Sequence, residues 1–144
     1  MIRAVAGYLV ASLAGFSLAS LSHSFVNAQR LAASGAPMPP DVFASLAIGD
    51  AQGLAPQFGP IVAIALGAGF LVARFLRPVL RAPHLLAYML GGAAAVPAML
   101  LIMSLAFDGI TPIAGARGAG LALQSAAGAV AGFVFAIIAR PRVG

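Results

Sequence analysis

The sequence predicts an all-α integral membrane protein: a bundle of four transmembrane helices, both termini inside, with one partly helical loop on the outside. Three observations predict it. Hydrophobic residues make up 62% of the chain and charged residues 8%, against about 25% charged in a soluble protein, and mean hydropathy is +1.05. The apolar residues gather into four runs, at 4–26, 58–80, 85–107 and 118–139, each near the ~20 residues that cross a bilayer's hydrocarbon core. The arginines sit at the ends of those runs, more of them on one side than on the other. The 144 residues read as a single domain.

The first run follows Arg3 and is longer than the roughly 7–15 apolar residues of a cleaved signal peptide, so a retained span is expected. Gly7, Ala11, Gly15 and Ala19 recur every four residues and leave one thin face for a neighbouring helix. A four-residue row drifts by about 40° per step around a 3.6-residue helix, which favours a right-handed crossing.

Residues 27–58 read as the only long polar connection, a periplasmic loop holding Arg30, Asp41, Asp50 and Gln52 and punctuated by Pro37, Pro39, Pro40 and Pro56. Asp41, behind a proline pair, is expected to cap a short helix with Val42, Phe43, Leu46 and Ala47 on one side. Such a helix is too short to span and is expected to lie along the surface or over the bundle.

In the second run 16 uncharged residues precede Arg74, which is expected to snorkel to the interface. The third run carries Gly91 and Gly92 before Pro97, where a missing backbone N–H is expected to kink the helix. After a short loop at 108–117 the fourth run offers 22 uncharged residues, about 33 Å of helix.

Topology follows from the arginines. With the N-terminus inside, Arg3, Arg74, Arg77, Arg81, Arg140 and Arg142 lie on the cytoplasmic side. Only Arg30 and Arg117 lie outside, together with all three Asp, so the positive-inside rule selects N-in, C-in. All eight basic residues are Arg, with no Lys and no Glu. With the abundant Ala, this points to a GC-rich bacterial genome and to the bacterial inner membrane. The net charge of +5 is accounted for by topology, and no nucleic-acid partner is expected.

The chemistry is sparse. Without Cys there are no disulfides, thiolate metal sites or cysteine nucleophiles. His23 and His84 fall on opposite sides of the bilayer, and no metal-ligand spacing surrounds either one. No acidic residue is expected inside a span, which argues against a proton- or cation-coupled carrier. Phosphate-loop, zinc-protease and serine-nucleophile motifs are missing as well. No catalytic, cofactor or metal site is therefore expected.

Two groups of residues remain. Gly7, Ala11 and Gly15 on the first span, with Gly120, Gln124, Gly128 and Gly132 on the fourth, are expected to pack helices. Arg117, Asp108 and His23 are the candidate contacts for a ligand or partner, the bland alternative being an Asp108–Arg117 salt bridge that closes the loop. The expectation is a small non-catalytic accessory or structural subunit, embedded in the lipid bilayer and packing against itself as a homo-oligomer or against a larger membrane complex. The alternative is a small oligomeric transporter or channel with Arg117 and Gln124 on its path.

Overall fold

The structure is a computed structural model and describes residues 2–106, 113 and 118–139. Four helices follow in order: α1 (Ile2–Ala33), α2 (Pro40–Leu80), α3 (His84–Ala106) and α4 (Ala119–Ile138). All four are long and apolar enough to cross a membrane. There is no strand among the described residues.

The expected loop at 27–58 is largely helix, which corrects the sequence reading. α1 continues to Ala33 and α2 begins at Pro40, so only residues 34–39 break the helical path. Polar side chains such as Asn27 and Arg30 are compatible with helix, and Pro40 sits at a helix start, where its missing N–H costs nothing. Pro56, Pro60 and Pro78 lie inside α2, which runs through all three. Apolar helices tolerate interior proline when neighbouring helices support the freed backbone groups. Asp41 lies in the first turn of α2 rather than at its cap, which is Pro39 and makes no side-chain capping bond. α3 likewise runs unbroken through Pro97.

Lengths and register give the shape. At about 1.5 Å per residue the 32-residue α1 measures about 48 Å and the 41-residue α2 about 61 Å, against roughly 35 Å for the 23 residues of α3 and 30 Å for the 20 of α4. The start of α1 lies beside the end of α4, with Gly7 against Ile138. Tyr8 reaches Ala63, Phe16 meets Phe58, and Ser24 meets Asp50. The surplus length of α1 and α2 therefore projects from one end as a helical hairpin. Arg30 and Asp41 lie on it, whereas Arg3, Arg74, Arg77 and Arg81 lie at the opposite end of the bundle.

The interior is small and the exterior is large, the reverse of a soluble protein. α1 buries Gly7, Ala11, Gly15 and Ala19, and α4 buries Gly120, Gln124, Gly128, Gly132 and Ala136. Phe75, Ile64, Val79 and Leu105 meanwhile stand on the outside, each more than two-thirds exposed. Every helix keeps a four-residue period inward, including Phe58, Val62, Leu66 and Phe70 on α2.

That period supports two kinds of seam. Between α1 and α2 a large side chain fills a gap, Leu66 coming to 2.9 Å from where a Cβ on Gly15 would stand. Between α3 and α4 the backbones themselves touch. A Cβ on Gly92 would strike the carbonyl oxygen of Gly128, and one on Gly132 would strike that of Tyr88. The Gly69–Gly91 crossing of α2 and α3 is similar, at 2.6 Å from Gly91 O. Only residues without a Cβ allow this approach.

Candidate functional site

Polar chemistry is concentrated at two places, one at the base of the projecting hairpin and one at the arginine end. At the hairpin base, the four-residue period that buries Gly and Ala on α1 also turns Ser20 and Ser24 inward. The extra helical turns of α2 place Asp50 opposite them. Ser24 Oγ lies 2.7 Å from Asp50 Oδ2 and 3.2 Å from the carbonyl of Ser20. A hydroxyl has one proton, and the shorter contact, to a charged acceptor, takes it. His23 Nε2 stands 3.8 Å from the same Asp50 oxygen, too far for a hydrogen bond and within reach of an ion pair when the imidazole is charged.

One helix turn further into the bundle, Gln124 is fully buried and donates from Nε2 to the carbonyl of Ala19 at 3.1 Å. Its Oε1, like Ser20 Oγ, has no hydrogen-bond partner among the described residues. The row of Gln124, Ser20, Ser24 and Asp50 therefore tracks from the middle of the bundle to its end. Asp50, in the stretch the sequence reads as loop, stands on α2 and joins α1, because helix replaces most of that loop.

At the other end, four rings pack around the helix ends. Phe70 stacks on Phe135 with centroids 4.5 Å apart, and Tyr88 meets Phe135 edge-on at 4.9 Å. His84 packs edge-on against Tyr88, also at 4.9 Å. The α2–α3 turn sets this up. Arg81 takes a left-handed φ of 49° and returns its N–H to Arg77 O, so that α3 starts with His84 beside Arg77. Arg77 Nη1 lies 3.1 Å from His84 Nδ1. Guanidinium only donates, so Nδ1 accepts and the ring proton of a neutral imidazole sits on Nε2.

Tyr8 closes the near wall by donating to Ala63 O at 2.7 Å, lying over Gly67. The rings and Arg74 line an open-mouthed cavity of about 430 Å³. A larger groove of about 530 Å³ runs along the outer face of α2 and α3. It is almost wholly apolar, with Ala65, Ala68, Gly69, Ala94, Ala95 and Ala98 in its walls.

The expected packing residues are placed as follows. Gly7, Ala11, Gly15, Gly120, Gln124, Gly128 and Gly132 are all buried inside the single chain. Gly7 and Gly15 face α4, at Ile138 and Ala131, and Gly128 and Gly132 face α3. His23 is half-buried beside Asp50 and away from the exposed Asp41. Asp108, Thr111 and Arg117 lie outside the described residues. No three His, Cys, Asp or Glu side chains converge among the described residues.

Sequence reasoning left the ring cluster of Tyr8, Phe70, Tyr88 and Phe135 unassembled. The available signal was that both tyrosines fall near the same interface. Comparison with protein-family models, with curated proteins and with solved structures finds no match to the chain.

Proposed function

We propose that the chain is a non-catalytic multi-pass protein of the bacterial inner membrane that packs, as an accessory or structural subunit, against another copy or a larger membrane complex. The observation that carries this reading is the α2–α3 groove. The small-residue faces of α1 and α4 are spent on contacts within the chain, whereas Ala68, Ala94 and Ala98 remain exposed along an apolar groove wide enough for a side-chain ridge. Packing between helices in lipid relies on such close, small-residue contacts, because lipid supplies no hydrophobic drive. Full burial of Gln124, with its amide bonded to Ala19, supports a packing role over a path-lining one. An N-in, C-in orientation is supported by six arginines on one side against two on the other.

Native mass spectrometry of protein released by mild detergent tests the reading. It should show a homo-oligomer or one defined partner. Ala68→Phe with Ala98→Phe fills the groove from exposed positions and should release the chain as a folded monomer. An unaltered protein that emerges as a bare monomer, or a filled groove that leaves the complex intact, would sink the proposal.

A further inference from the structure

We propose that the cavity at the arginine end is a binding site for one anionic phospholipid, its phosphate held at Arg74 and its chain laid against the ring cluster. This rests on the membrane reading above, and on nothing else in it. The cavity, at about 430 Å³, lies within the roughly 300–1,000 Å³ of small-molecule sites. Its floor is Phe70, Tyr88 and Phe135, held in one another's grip by stacked and edge-on contacts. Such a floor is apolar, rigid and already formed.

The rim is cationic. Arg74 is exposed and has no hydrogen-bond or ion-pair partner among the described residues. His84 lines the same cavity, its Nδ1 held by Arg77. Both described aspartates, Asp41 and Asp50, belong to the opposite end of the bundle. The rim therefore has charge for an anion and repels the choline cation that the ring faces by themselves would attract.

The mouth decides the class of ligand. Val5 and Leu71 form an apolar lip, each more than half exposed. A soluble anion would leave that lip and the ring floor unfilled. A lipid covers both, with its headgroup level with the arginines that mark this end of the bundle and its chain continuing along Leu71. Guanidinium matches phosphate through paired, charge-assisted hydrogen bonds, and a rim of arginines repels the choline cation of a zwitterionic headgroup, which sets a net anionic headgroup apart from it.

The test uses full-length protein released from membranes by mild detergent, stripped of lipid and reloaded from mixed micelles holding equal phosphatidylglycerol and phosphatidylcholine. Bound lipid is counted by native mass spectrometry. Phosphatidylglycerol should be retained about tenfold over phosphatidylcholine, whose choline cation meets like charge at the arginine rim. Arg74→Gln should bring that ratio close to one, and Leu71→Trp, across the lip, should lower total occupancy. Arg30→Gln, on the projecting hairpin, should change neither. Equal retention of the two headgroups by the unmodified chain overturns the proposal, and so does an Arg74→Gln protein that keeps its preference. Retention of glycerol phosphate as firm as that of phosphatidylglycerol also overturns it, by assigning the site to a soluble anion.

The headgroup comparison is made on the unmodified chain, so it decides the matter even where a variant does not fold. A chain found in the soluble fraction before extraction defeats the membrane reading and this one together. A membrane-bound chain without headgroup preference defeats this one alone.

Discussion

Glycine occupies both the α3–α4 seam and the N-terminal half of α2, in opposite surroundings. At Gly128 a Cβ would strike the carbonyl of Gly92 on the facing helix, with Val96 Cγ2 at 3.1 Å beside it. At Gly49 and Gly53 nothing lies within 4 Å of where a Cβ would stand. The first glycine is required by tertiary contact. The second pair only weakens the helix that contains it, by the backbone freedom it must surrender. The same residue thus marks a tight joint in one region and an unpartnered surface in the other.

The comparison breaks most sharply at Gly128. Gly128→Leu forces backbone against side chain with no rotamer to relieve it, and should destabilise the bundle by about 3 kcal/mol or more. Unfolding in detergent followed by circular dichroism measures this, and a variant with unchanged melting would mean that the seam is not closed by backbone contact. The opposite sign is expected in the N-terminal half of α2. Gly49→Ala and Gly53→Ala should each stabilise by about 0.5–1 kcal/mol, as helical glycine yields to alanine. If either change instead weakened co-purification with a partner, the projecting surface would be an interface.

Gln124→Leu should have the smallest effect. It removes an interhelical bond worth about 0.6 kcal/mol, and it also removes a buried Oε1 that has no partner among the described residues. The two changes oppose each other, so the melting temperature should stay close to that of the unmodified protein. A large drop would show that Oε1 is satisfied by a bound water.

Much of the fold was legible because its signals are local. Hydropathy marks four apolar segments, and the ends of α3 and α4 fall within a residue or so of the expected runs. The four-residue spacing of Gly7, Ala11, Gly15 and Ala19 lies on the buried face of α1. The sequence reads 27–58 as a partly helical loop, whereas helix fills all of it but residues 34–39. Pro40 starts a helix there and Pro56 rides inside one, and residue type alone does not separate the two roles. The bond from Ser24 to Asp50 lay beyond local reasoning, because its partners are 26 residues apart on two helices.

The sequence by itself determined the four membrane-length helices, their apolar character and the segregation of arginines toward one end, since each depends on composition within a single segment. Tertiary structure alone decided which small-residue faces are spent inside the chain and which stay open. It also gathered Tyr8, Phe70, Tyr88 and Phe135 from four helices around one cavity beside Arg74. The physical reason is register. One helix turn of sliding between neighbours would move each ring by about 5.4 Å and take the cluster apart, and no segment read alone sets that offset. It is set where Gly92 meets Gly128 and Leu66 closes over Gly15.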